Sequence, residues 1–175
     1  MSSIQEHCGL SRLIEKDAGW KVSKSSGTGR VNHDGLYMGG EHAPFCFWIG
    51  DCSFHSGLHT WKVEVAKAQY NSQKSDNCYI EVGVIEGTGD NSTESIQKAK
   101  KWVHRGKAES VRDVSVKLDM TSRQLKIKTS ARKSNSQVSS LSQSFHEPVT
   151  QIFPYFSVNS TEYVLSLTQR RSSFF

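Results

Sequence analysis

Three short stretches of this chain alternate apolar and polar residues with a period of two, a period that a helix cannot turn into one buried face. In residues 59–65, Trp61, Val63 and Val65 fall on one side, and Thr60, Lys62 and Glu64 on the other. In 78–85, Cys78, Ile80, Val82 and Val84 share a side, and in 114–120 Val114, Val116, Leu118 and Met120 do so. Leu125, Ile127 and Thr129 resume the alternation after Thr121-Ser122-Arg123, so 114–129 reads as a hairpin. Residues 152–158 and 163–167 add a last pair of strands. Pro154 lacks a ladder donor, which places its strand's start there or the strand at a sheet edge. Glycines at 27, 29, 35, 39, 40, 50 and 57 break the earlier chain into short pieces rich in aromatic and β-branched residues. Phe47-Trp48-Ile49 reads as buried strand, and Trp61, Phe153 and Phe156 as core. Short strands at such intervals predict an all-β fold, an antiparallel two-sheet sandwich.

One helix is expected, near the start. Ser3 and Glu6 match a capping box, Leu10, Leu13 and Ile14 give an apolar stripe, and Gly19 provides a stop. The expected organisation is a helical extension over 1–19 followed by one sandwich domain over 20–175. Residues 66–77, 86–113 and 130–144 carry turn-forming and charged residues, with seven serines in the last, and are expected to be mobile surface loops.

The length of 175 residues suits one domain with a core of its own. No apolar run approaches the roughly 18 residues of a spanning helix, and mean hydropathy is −0.53. The first residues show no basic segment leading into an apolar one, as a secretory leader would. With Cys8, Cys46, Cys52 and Cys78 then read as reduced thiols, the expected setting is intracellular, probing no membrane. The net charge of +5 admits an acidic partner or a nucleic acid and selects neither.

Chemistry-bearing patterns are sparse. Cys46, Cys52, His55 and His59 lie within 14 residues, but five residues separate the two cysteines, too many for the tight knuckle of a structural zinc site. No Gly-x-Ser-x-Gly elbow occurs, and Gly27-Thr28-Gly29 opens no helix that could cradle a phosphate. The expectation is a chain with no catalytic residues, no metal and no cofactor. One basic run stands out: Lys98, Lys100, Lys101, Arg105 and Lys107 contain no acid among them and surround Trp102.

Taken in order, several of these pieces resemble the SPRY family. GLHTWKVEV is similar to that family's Trp-x-Val strand, and CYIEVGVI to the next strand, which ends in Gly-Val. Trp102 stands where the family often carries a Trp. VSVKLDM with QLKIK resembles its Leu-Asp hairpin, and FPYFSV and YVLSL its last two strands. The match runs over about residues 20–168. It departs from the family in lacking the Asn-Gly turn, where Lys128-Thr129-Ser130 stands, and the Leu-Asp-Pro element of the fuller B30.2 form. The resemblance implies a bent sandwich, similar in layout to concanavalin-like folds, that binds a protein or peptide through loops at one end. Such modules serve as adaptors, often selecting substrates for ubiquitin ligases. The expected binding loops are 35–42, 66–77 and 98–107. Lys98, Lys100, Lys101 and Arg105 would draw an acidic segment, and Tyr37, Tyr70 and Trp102 would supply exposed aromatic area. Two alternatives remain: nucleic-acid binding through 98–107, with Trp102 stacking on a base, and a carbohydrate-binding, lectin-like sandwich.

Overall fold

A computed structural model describes residues 22–25, 29–32, 35–38, 46–50, 54–67, 77–87, 93–133, 139–145, 151–160 and 162–173. The N-terminal helix expected within 1–19 and Tyr70 lie outside them. In chain order the strands are β1 (Val22–Ser25), β2 (Gly29–Asn32), β3 (Gly35–Met38), β4 (Cys46–Gly50), β5 (Leu58–Lys67) and β6 (Tyr79–Glu86). A short helix, α1 (Thr93–Lys98), comes next. It is followed by β7 (Lys101–Lys107), β8 (Val111–Asp119), β9 (Gln124–Ala131), β10 (Ser140–Ser144), β11 (Ile152–Val158) and β12 (Tyr163–Ser173).

The strands form two antiparallel sheets, one of five strands ordered β1-β4-β11-β6-β7 and one of seven ordered β10-β9-β8-β5-β12-β3-β2. The fold class is therefore the antiparallel sandwich that the period-two patterns predict. Trp61, Val63 and Val65 of β5, Val114, Val116 and Leu118 of β8, and Leu125 and Ile127 of β9 point into one core. From the other sheet Trp48, Ile80, Val82, Val84, Phe156 and Val158 meet them. The 114–129 hairpin is present. Its turn holds Arg123 at a φ of 54°, and Asp119 Oδ1 accepts hydrogen bonds from the N–H groups of Thr121 and Ser122 at 2.9 and 3.0 Å.

Four local expectations are corrected. The 86–113 segment is not a loop: it contains α1, all of β7 and the start of β8. Within 130–144, β10 pairs with β9 from Ser140↔Lys128 to Ser144↔Gln124. Residues 35–38 are strand, with Tyr37 paired to Arg30 and Val164, so Tyr37 does not belong to a loop. Pro154 neither starts β11 nor lies on an edge strand; it pairs with Val84 inside the sheet. The ladder between β11 and β4 begins one residue later, at Tyr155↔Ile49, so the missing donor falls where that ladder ends. The proline ring fills the space beside Gly50, where an added Cβ would lie 2.8 Å from Pro154 Cγ.

Arg132 closes the far end of β9. Its Nη2 donates to the carbonyls of Val65 at 2.6 Å and Val111 at 3.0 Å, joining β5 and β8 through one planar group.

The two sheets differ on their outer faces. On the seven-stranded sheet that face carries Lys62, Glu64, Lys117, Lys126 and Lys128, as a solvated antiparallel sheet should. On the five-stranded sheet it carries a second apolar cluster of Phe47, Ile49, Ile85 and Tyr155, joined by Ile96 of α1 and flanked by Val103 and Phe153. Phe153 belongs to this outer cluster and not to the space between the sheets. Its neighbour Phe156 is in the main core.

Gly83 allows β6 and β7 to close against each other under this cluster. A Cβ there would stand 2.2 Å from the Trp102 carbonyl oxygen and 2.8 Å from Val103 Cα, both backbone atoms that cannot swing aside. Gly83→Ala should therefore lower stability by roughly 1–3 kcal/mol or prevent folding. A urea titration measures this, and an unchanged midpoint would show that the backbone relaxes freely.

Candidate functional site

Strand pairing sets side chains of the five-stranded sheet's outer face in rows. Phe47 pairs with Ser157, Ser157 with Glu81, and Glu81 with Arg105. The neighbouring row runs Ile49, Tyr155, Gly83, Val103. Across from Gly83, which has no side chain, stands Tyr155. Phe47 stacks beside it with centroids 6.2 Å apart.

Over these rows lies a cavity of about 320 Å³. Phe47, Tyr155, Tyr79 and Ile96 form its apolar walls, and Lys101, Arg105, Glu81, Ser157, Asn159 and Gln97 supply polar groups. A small concave site with an aromatic floor and a few convergent polar groups is the usual form of a binding pocket.

Most of these polar groups have a partner within the fold. Lys101 Nζ donates to the carbonyls of Gln97 at 3.1 Å and Ala99 at 3.3 Å, at the C-terminal end of α1, where a cation suits the helix dipole. The same ammonium lies 5.7 Å from the Tyr155 ring centroid. Burial lowers the Lys101 pKa, and the Glu81 carboxylate opposes that shift. Glu81 accepts a hydrogen bond from Ser157 Oγ at 3.1 Å. Burial, then the Glu81 charge, push the Tyr155 phenol far above its ordinary range, so it stays protonated. Arg105 lies at the exposed rim with its guanidinium 4.9 Å from the Tyr79 ring centroid. Asn159 fixes the end of β6 by accepting from the Tyr79 N–H at 2.6 Å and donating to the Asn77 carbonyl at 3.0 Å.

The basic run divides between two faces. Lys101 and Arg105 meet in the pocket. Lys98 pairs with Glu94 one turn away on exposed α1, a contact worth little in water. Lys100 lies with its Nζ 5.2 Å from the Trp102 ring centroid. Trp102 is not an exposed anchor: only 4% of it is accessible, and it meets Phe145 edge-on at 4.7 Å within the main core. Strand alternation puts it on the face opposite Lys101 and Val103. A buried indole cannot stack on a base, so the nucleic-acid alternative loses its aromatic. Sequence reasoning missed Tyr79, Glu81, Tyr155, Ser157 and Asn159. A signal was available in the near-continuous apolar runs CFWIG and IFPYF, which mark strands covered on both faces.

Among the described residues no group of histidine, cysteine and acidic side chains is arranged to hold a metal ion, and the Cys46 side chain is not among them. His59 is buried against Phe54 at 4.3 Å, with Nε2 2.6 Å from the Ser56 carbonyl, whereas His55 is exposed. Cys52 lies outside the described residues. Cys78 is buried, with Sγ 3.7 Å from Glu162 Oε2. Among the described residues no helix is long and apolar enough to cross a membrane.

No family model and no curated protein matches the chain. Among solved structures it is similar to the TRIM65 PSpry domain, with 13% identity, a TM-score of 0.49, and coverage of 91% of this chain and 98% of that one. It is likewise similar to the SPRY domain of human HERC1, at 12% identity and a TM-score of 0.49 over 86% of this chain and 97% of that one. A lectin, UEA-II complexed with galactose, matches at 10% identity and a TM-score of 0.45 over 89% and 96%. What the pocket can hold follows from its own residues.

The inward side of β7 yields two predictions. Trp102→Ala should cost about 3–5 kcal/mol, as loss of a core aromatic does, and not act selectively on binding; thermal unfolding reads this, and a native melting temperature would return the ring to the surface. His104 shares the Trp102 side, and burial holds its pKa below the ordinary 6.5. The unfolded chain therefore takes up this proton first as pH falls. The stability involved is fully present above the unfolded-state value and is lost as pH drops through it toward the folded-state value. Between about pH 8 and about pH 5 the melting temperature of wild type should fall more than that of His104→Gln. Parallel curves would exclude His104 as a source.

Proposed function

We propose that this domain is a non-enzymatic recognition module that binds a protein or peptide through an acidic segment. The observation that carries the reading is the pocket on the outer face of the five-stranded sheet, where Lys101 and Arg105 converge over Phe47, Tyr79 and Tyr155. Two cations stand against one carboxylate, and that carboxylate is already engaged by Ser157. Arg105, at the rim, is placed to take a carboxylate in a bidentate grip, while the half-buried Tyr79 and Val103 side chains offer apolar area to its neighbour. The sequence resemblance to SPRY domains agrees with this reading and extends it to an intracellular adaptor that presents a bound protein to an assembly such as a ubiquitin ligase. Both the adaptor role and that setting are parts of the proposal.

The test is an immobilised peptide array probed with wild-type protein and with Arg105→Glu, whose exposed position should leave the fold intact. Acidic peptides should be selected, and the variant should bind them at least about tenfold more weakly with its melting temperature unchanged. Selection should weaken but persist at about 0.5 M salt, where the Debye length is about 4 Å, because part of the contact is apolar. Binding to single-stranded oligonucleotides in place of peptides, abolished by that salt, would overturn the reading in favour of nucleic acid.

A further inference from the structure

We propose that the acidic segment docks as an added antiparallel strand along the outer edge of β7, carrying carboxylates at positions i and i+4 and an apolar residue at i+2. This rests on the reading of the Lys101–Arg105 pocket given above and names how that pocket is reached.

Among the described residues β7 ends the five-stranded sheet, with β6 on one side and no strand on the other. Its pairing with β6 fixes which backbone groups face outward. The Glu86 N–H donates to the Lys100 carbonyl at 3.0 Å, and the Ala108 N–H to the Cys78 carbonyl at 2.8 Å. Even-numbered residues of β7 therefore exchange bonds with β6, and Lys101, Val103 and Arg105 direct their N–H and C=O groups to the open side. The Lys107 carbonyl already accepts from Ser110 at 3.0 Å, which ends the available ladder.

The same three residues place their side chains on the pocket face. In an antiparallel ladder, hydrogen-bonded partners project side chains to the same face. A strand added here would set one side chain beside Lys101, one beside Val103 and one beside Arg105. Charge complementarity assigns carboxylates to the first and third, about 13 Å apart along a strand. The partly buried Val103 assigns an apolar residue to the second.

Lysine-bearing edges usually deter strand pairing. Here the cations repel a second copy of this edge and leave an acidic strand as the matching occupant. A peptide also suits the edge better than a nucleic acid does, because only a peptide backbone donates and accepts at this repeat.

The test uses wild-type protein and fluorescein-labelled peptides of the pattern Glu-Thr-Xaa-Thr-Glu, with Val, Leu, Ile or Tyr at the centre, followed by fluorescence anisotropy. Two backbone-methylated forms separate strand addition from simple charge capture. N-methylation of the central residue removes a ladder donor and should weaken binding by about tenfold or more. N-methylation of a threonine, whose N–H faces away from β7, should change it by less than about threefold. Replacing both glutamates with lysine should abolish binding. Equal binding of the two methylated forms would overturn strand addition while leaving the acidic-peptide reading intact. Absence of binding by the whole peptide set would also overturn strand addition, and oligodeoxythymidine binding in its place would remove the acidic-peptide reading as well.

Discussion

The five-stranded sheet is apolar on both faces, and among the described residues one of those faces meets no second sheet. The inner face is closed by the seven-stranded sheet. The outer face still carries Phe47, Ile49, Ile85, Phe153 and Tyr155, a set of side chains that water would penalise heavily if left open. Helix α1 supplies part of the cover through Ile96, and Gly83 lets β6 and β7 close against each other beneath it. The pocket lies where that cover stops. Its apolar floor is the buried margin of a cluster that the fold requires anyway, and its cationic rim comes from the strand beside it.

Lys101 joins these two requirements in one side chain. Its ammonium holds the last carbonyls of α1 and also contributes half the positive charge of the pocket. The helix that covers the apolar face and the cation that would greet a ligand are therefore mechanically linked. Arg105 has no such duty; it rests on the Tyr79 ring at the rim. Of the two cations, Arg105 is the one that can change with little consequence for the fold. Arg132 makes the corresponding structural link in the other sheet, where its guanidinium holds two strand carbonyls at once.

The strands with a solvated face were the most legible, although 78–85 and 152–158 of the other sheet also read as strands. β5, β8 and β9 alternate cleanly because one side of each meets water and the other the core, and the hairpin between β8 and β9 follows from that alternation. β7 was hidden for the opposite reason. An edge strand with Lys101, Arg105 and Lys107 on one side and His104 and Gly106 on the other reads as a basic loop until β6 is placed against it. The same holds for β10, whose serines have no pattern of their own and acquire strand geometry from β9. Lys101 and Arg105 were identifiable as cations but not as neighbours of Tyr155, because that neighbourhood spans β7, β6 and β11. Trp102 was misassigned because a tryptophan among lysines looks exposed, while strand alternation turns it to the far side.

The order of strands in the larger sheet has a consequence for how the chain matures. β12 lies between β5 and β3, so the block β10-β9-β8-β5 and the pair β3-β2 have no direct contact within that sheet until β12 inserts between them. Synthesis proceeds from the N-terminus, and nearly all the intervening chain must emerge before that strand exists. Until then β5 and β3 each present an unpaired edge, and closing the sheet pays the entropy of a very long loop. Maturation of this domain is thus a late, single closure, and the time spent waiting for it is when a nascent chain is most open to capture by a chaperone or by a second nascent copy.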